Sequence, residues 1–268
     1  MEKFTMDVLK SFSLQGKVAL VTGGAGLYGR QIVEALAEAG AITFMASRNL
    51  AKLEEYAVEL RERKLDVTAL ELDLAKQDSI DELVNEIVKR TGRFDILINN
   101  AVNRCGCRSW DLTMDDFDES FRMNASSLFY LTRKVSNAMR TAGNGGSIVN
   151  IDSYMGLLGP NPSNYPDPEA IYKMSPAYFY EKGGMVNFTR FAASVLGRDQ
   201  IRVNAICPGG FYTPDMSEGF IKNYNSNTML GRLANDTDLK GVIVFLASEA
   251  SAYLTATVIP VDGGYVAK

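Results

Sequence analysis

The chain has 268 residues, of which 46% are hydrophobic and 22% charged, and its net charge is −4. That is enough apolar material for one large α/β domain, and with no basic block nucleic acid is not expected as a main partner. No apolar run approaches the ~20 residues that span a bilayer, and Met1 to Leu14 mix charges where a signal peptide carries an apolar stretch; a cytoplasmic protein without a membrane partner is expected.

Val18 to Val21 is a short apolar run bounded by turn residues and reads as a buried parallel strand. The turn Thr22-Gly23-Gly24-Ala25-Gly26-Leu27-Tyr28-Gly29 follows, and then an amphipathic helix from Arg30 to Gly40. Strand, glycines and helix come in the order a dinucleotide site needs. Gly24, Gly26 and Gly29 allow a tight turn and close backbone approach to a pyrophosphate, and the helix N-terminus offers free N–H groups to it. Strands are predicted at Ile42 to Ala46, Val67 to Leu72, Ile96 to Ile98, Ser147 to Ile151, Arg202 to Ile206 and Val258 to Val261. Helices are predicted at Leu50 to Lys64, Gln77 to Thr91, Met114 to Ala142 and Tyr178 to Leu196. This alternation implies a Rossmann-like, doubly wound parallel sheet with helices on both faces, in a single domain over 14–268 preceded by a short arm, 1–13. One stretch breaks the rhythm: Gly159 to Pro176 holds five of the eight prolines, so 159–177 reads as an insertion or lid over the active site.

The chain contains no histidine, the usual proton carrier near neutral pH. Tyr178 and Lys182 lie four apart, on one face of a helix. A phenol ionises near ~10 alone and needs a nearby cation to act as a base. Cys105, Cys107 and Cys207 fit a reducing compartment, and with so few soft ligands no metal site is expected.

From about Leu14 to Val266 the chain resembles the short-chain dehydrogenase/reductase family. The resemblance is carried by Thr22-Gly23, Asp73-Leu74, Asn99-Asn100-Ala101, Asn124, Ser153, Tyr178 with Lys182-Gly183-Gly184, and Arg202-Val203-Asn204-Ala205. Further on, Pro208-Gly209, Thr213, Phe245-Leu246-Ala247-Ser248 and Pro260-Val261-Asp262-Gly263-Gly264 complete it. It implies a catalytic tetrad of Asn124, Ser153, Tyr178 and Lys182. Tyr178 would exchange the proton of an alcohol or carbonyl, and Ser153 would bond the same oxygen. Lys182 would favour the phenolate and bind the nicotinamide ribose, and Asn124 would help hold a relay water. It also implies cofactor contacts from Gly23, Gly26, Leu27, Tyr28, Ser47, Arg48, Asn49, Asp73, Leu74, Asn100, Ala101, Val102, Tyr178, Lys182, Pro208, Gly209, Phe211 and Thr213. A homotetramer or homodimer follows in the same way, built by the long helix, the Tyr178 helix and the C-terminal strand.

Three departures stand out. Leu27 replaces the usual glycine, so Thr22-Gly23-x-x-Gly26-x-x-Gly29 has the spacing of the extended branch of the family. The interval from Ser153 to Tyr178 is about a dozen residues longer than usual, and Val102 stands where the family commonly has glycine. After the second predicted strand the chain reads Ala46-Ser47-Arg48-Asn49. A neutral serine and a planar cation suit a 2′-phosphate, so NADP(H) is favoured over NAD(H). The expected reaction is interconversion of a secondary alcohol and a ketone on a small molecule. Asn103, Tyr154 and Tyr212 are candidate substrate contacts. Arg104, Arg108, Asn161, Asn164, Tyr165, Lys222 and Asn223 add polarity to the same loops, which suits a sugar, sugar acid or hydroxy/keto acid. The alternatives are a non-catalytic nucleotide sensor on the same fold, and an epimerase or lyase with tightly held cofactor.

Overall fold

The computed structural model describes residues 7–103 and 109–268; Arg104, Cys105, Cys107 and Arg108 lie outside them. Seven strands form one sheet: β1 (Val18–Thr22), β2 (Ile42–Ser47), β3 (Val67–Glu71), β4 (Ile96–Asn99), β5 (Gly146–Ile151), β6 (Ile201–Pro208) and β7 (Val258–Val261). Their order is β3-β2-β1-β4-β5-β6-β7 and every pairing is parallel. The order in which strands are added reverses between β1 and β4, which opens a crevice beyond their C-terminal ends.

Period-two side-chain alternation splits the core in two. On one face Ala19 and Val21 meet Ile32 and Leu36 of α1 (Leu27–Glu38), Leu53 and Leu60 of α2 (Leu50–Glu62), and Ile243 and Leu246 of α8 (Lys240–Ala247). On the other, Val18 and Leu20 meet α3 (Gln77–Thr91), α5 (Ser127–Ala142) and α6 (Pro176–Leu196) through Ile80, Leu83, Leu131, Val135 and Leu196. Strands buried on both faces read as continuous apolar runs, which made them visible in the sequence.

The long helix expected from Met114 to Ala142 is continuous but not uniform. α4 (Met114–Phe121) passes through a π-helical turn, Arg122–Ser126, into α5. Thr113 and Asp116 start it with a capping box. α6 begins at Pro176, a favoured first helical residue, so the last two residues of the 159–177 segment belong to that helix. The rest of the segment forms two short 3₁₀ turns, Pro162–Asn164 and Pro168–Ala170. α7 (Glu218–Ser226) and α8 were not predicted as helices. In the arm, Phe12 lies 6.2 Å from the Phe245 ring of α8.

A buried polar thread ties the layers together beneath the crevice. Asn99 donates to Thr132 Oγ1 and to Asn150 Oδ1, and Asn150 donates to Thr189 Oγ1. These bonds fix α5 and α6 against β4 and β5, since a buried amide left unpaired is costly.

Candidate active site

The glycine turn is built to close tightly. A Cβ on Gly29 would sit 2.1 Å from Gly23 O, and one on Gly24 would sit 2.6 Å from the Met45 Cβ. Gly23 has φ +68°, which favours glycine. Asn100 braces the turn by donating to Thr22 O at 2.9 Å and Gly23 O at 3.1 Å, and the Thr22 hydroxyl accepts from the Asn100 and Ala101 amides. Gly26 is the N-cap of α1, and Leu27, its first residue, points half its surface to solvent. This cradle, with a twelve-residue helix whose first N–H groups lack intrahelical partners, fits a dinucleotide pyrophosphate.

The other cofactor candidates are distributed around the same crevice. Ser47 ends β2; Arg48 is exposed and without an ion-pair partner among the described residues; Asn49 caps α2 by accepting from Lys52 N. Asp73 accepts from Ala75 N, and Leu74 packs against the core. Val102 is exposed. Pro208 ends β6, Gly209 N donates to Val261 O, and Gly209 O accepts from the Tyr28 hydroxyl at 2.8 Å. The Tyr28 ring meets Phe211 edge-on at 5.1 Å, and burial pushes its phenol far up. Thr213 hydrogen-bonds Asp215 and helps hold that carboxyl below its ordinary range.

Ser153, buried just past β5, accepts from Met155 N at 3.1 Å and opens a 3₁₀ turn. Lys182 is buried on α6 and its Nζ donates to Ile151 O at 2.8 Å, 5.8 Å from the centre of the half-buried Tyr178 ring. Gly156 lets the 3₁₀ turn lie close against the α6 backbone, because a Cβ there would lie 2.8 Å from Lys182 O. Serine, tyrosine and lysine thus converge where β5 meets α6, beside the crevice. Asn124 lies in the π turn: Nδ2 donates to Asn103 O and to Glu181 Oε2, and Oδ1 accepts from Asn103 N.

Two buried carboxyls flank Lys182 that the sequence reading passed over. Asp152 accepts from Ser153 N through Oδ1, while Oδ2 has no partner among the described residues. Burial pushes this carboxyl up to about 7 against the opposing pull of Lys182. Glu181 is also raised by burial, with Ser120, Asn124 and Lys182 pulling the other way. The signal was available: an acid immediately before the serine, and another immediately before the lysine.

The candidate substrate contacts have different fates. Tyr212 is exposed and Asn103 half-buried, whereas Tyr154 is buried in a ring cluster with Tyr265 at 4.8 Å and Tyr224 at 6.1 Å. Within the insertion, Asn161 caps its own turn, and buried Asn164 donates to the Tyr265 hydroxyl while accepting from Asn227. The Tyr165 ring lies 5.3 Å from that of Phe220 of α7, tilted by 45°. Their polarity is spent on fastening the segment. Among the described residues no group of three or more Cys, Asp or Glu side chains could hold a metal ion, and no helix is long and apolar enough to cross a membrane.

A family model described as Enoyl-(Acyl carrier protein) reductase matches residues 26–266. The chain is 33% identical over 267 residues to the 2-dehydro-3-deoxy-D-gluconate 5-dehydrogenase of Escherichia coli, covering 97% of this chain and 100% of that one. The chain belongs to the short-chain dehydrogenase/reductase family. It is 30% identical to a 7alpha-hydroxysteroid dehydrogenase of Bacteroides fragilis, covering 93% of this chain and 94% of the relative. A solved gluconate 5-dehydrogenase from Burkholderia cenocepacia, in complex with NADP and tartrate, superimposes with a TM-score of 0.87 at 27% identity over 98% of this chain and 100% of that one. With the parallel seven-stranded fold, these relatives make the chain an NAD(P)-dependent oxidoreductase acting on a secondary alcohol or its ketone.

Proposed function

We propose that this enzyme uses NADP(H) to interconvert a polar secondary alcohol, of the sugar-acid or keto-sugar class, with its ketone. The observation that carries the assignment of roles is the convergence of Ser153, Tyr178 and Lys182 at the junction of β5 and α6. Gly23, Gly26, Leu27 and Tyr28 would hold the pyrophosphate side of the cofactor. Ser47, Arg48 and Asn49 would hold the adenosine ribose, and Asp73 and Leu74 the adenine edge. Asn100, Ala101, Val102, Pro208, Gly209, Phe211 and Thr213 would hold the nicotinamide half. When bound, the cofactor supplies the hydride chemistry.

The chain itself moves a proton and fixes an oxygen. Tyr178 Oη gives a proton to the carbonyl oxygen in reduction, or takes one from the hydroxyl in oxidation. Ser153 Oγ donates to that same oxygen and orients it. The Lys182 ammonium, one helical turn away, stabilises negative charge on the phenol oxygen. Both N–H bonds of Asn124 are engaged by protein groups, so its side-chain amide serves to hold the Asn103 loop rather than to donate to a relay water.

A polar substrate is supported by the exposed Tyr212 and Lys222 and the half-buried Asn103 and Asn223, and by the two gluconate-type relatives. Segment 159–177 serves in this reading as a fixed wall rather than a moving lid, because Asn164 and Tyr165 bind it to Tyr265, Asn227 and Phe220. Phe121, Phe129, Tyr180 and Phe191 are exposed on α4, α5 and α6. They offer an isologous face for a homotetramer or homodimer, and a cytoplasmic setting suits the fold. The test is absorbance of reduced nicotinamide across a panel of sugar acids, keto-sugars, hydroxysteroids and short apolar ketones. Turnover of sugar acids or keto-sugars is expected; turnover confined to steroids or apolar ketones rejects the polar reading.

Arg48 carries the cofactor preference. Truncating Arg48→Ala removes a charge-assisted contact to the 2′-phosphate, of about 1.5–3 kcal/mol. NADPH should then bind roughly tenfold or more weakly, with NADH changed less than about twofold. Equal losses in a fluorescence titration would reject the phosphate role.

A further inference from the structure

The helix that presents Tyr178 and Lys182 also buries a carboxylate beside them, and this inference rests on the catalytic reading above. Glu181 is 6% exposed. Its Oε1 accepts from Ser120 Oγ at 2.7 Å and its Oε2 from Asn124 Nδ2 at 3.0 Å. Asn124 in turn closes a two-bond clasp on Asn103, giving a proton to its carbonyl at 2.9 Å and accepting from its amide at 2.8 Å. We propose that Glu181 is a positioning residue: it fixes Asn124, and through it the Asn100 to Asn103 backbone at the end of β4, against the helix that carries Tyr178 and Lys182.

This side chain joins α6 to the helix that runs from α4 through the π turn, and Asn124 passes the connection on to the loop after β4. Burying a carboxylate costs far more than burying a methionine or valine, and the same helix uses Met185 and Val186 where only packing is needed. The carboxylate is retained where two donors need acceptors. Remove it, and one Asn124 N–H and the Ser120 hydroxyl lose their partner, a penalty that loosens the amide holding Asn103. The loop so loosened continues from Asn100 and Ala101, which brace the glycine turn through Thr22. A shift of ~1 Å in such a loop is enough to lower turnover about a hundredfold.

Two substitutions separate position from charge. In Glu181→Gln the amide oxygen accepts from Asn124 while the amide nitrogen donates to Ser120 Oγ, so kcat should stay within about threefold of the parent. In Glu181→Leu neither bond survives, and kcat on the best compound of the panel should fall roughly 10- to 100-fold. Amide deuterium exchange over 100–103 should speed up about tenfold in Glu181→Leu and stay near parental in Glu181→Gln. That measurement needs no substrate, so it decides the proposal even if no compound turns over and the functional reading fails. Ser120→Ala, which removes one anchor, should give a few-fold loss of kcat if Glu181→Leu does not fold. Parental kcat and exchange in the leucine or the alanine variant would overturn the proposal. So would equal losses in Gln and Leu, or a lowered Tm with kcat intact.

Discussion

Tyr178→Phe should reduce kcat on the best compound of the panel by about 10²–10⁴, the usual contribution of a positioned general acid or base. The change deletes one hydroxyl and leaves a ring of the same shape, half-buried and edge-on to Phe179 at 6.1 Å, so folding should be unaffected. Cofactor affinity should change less than about twofold, because Lys182 stays anchored on Ile151 O. With no histidine in the chain, no imidazole can take over the proton transfer. Stopped-flow measurement of nicotinamide turnover, with a fluorescence titration of cofactor, checks both halves. Retention of more than about a tenth of the parental rate would remove Tyr178 from the proton-transfer step.

The second large effect belongs to Asp152. Its carboxyl, ordinarily near 3.8, is pushed up to about 7 by burial, and Oδ2 has no donor among the described residues. A raised acid pKa means that the folded state holds the proton over a range where the unfolded chain has released it. Below about 3.8 both states are protonated and the group costs nothing. As pH rises toward 7 the unfolded chain ionises alone and stability falls; above 7 the loss is complete. Each pH unit of that window is worth about 1.4 kcal/mol. Asp152→Asn cannot titrate, so its stability relative to the parent should improve by on the order of 3 kcal/mol between pH 5 and pH 8. The slope is the diagnostic, because the amide brings its own unpaired N–H at every pH. Urea unfolding at matched protein concentration measures it. Parallel pH curves for the two proteins would show that Asp152 ionises freely in the folded state.

The strands were readable because a parallel sheet buries both faces, so Ile96-Leu97-Ile98 and Val18 to Val21 stand out as unbroken apolar runs. Tyr178 and Lys182 were readable because helical spacing alone puts them on one face. The partners of Asn124 were not: its contacts to Asn103 and Glu181 span 21 and 57 residues, and no local pattern encodes them. Asn161 and Asn164 misled for a related reason. A polar side chain in a loop looks available for a ligand, and here each is consumed by the loop's own turns or by a residue as distant as Tyr265. The helix Lys240–Ala247 was missed because it is apolar on nearly every face, packed against both the sheet and α1, so it lacks the amphipathic period that marks a surface helix.

The clasp between Asn164 and Tyr265 also sets an order of events. Ser153, Tyr178 and Lys182 are synthesised well before Tyr265. The 159–177 segment cannot take its final position until Tyr265, Tyr224 and Asn227 are all in place around it. At ribosomal speeds of roughly 5–20 residues per second, that gap lasts several seconds. Until then the Tyr154 ring lacks the Tyr224 and Tyr265 rings that pack on it. Fastening of the 159–177 segment is therefore a late event, which follows the synthesis of Ser153, Tyr178 and Lys182.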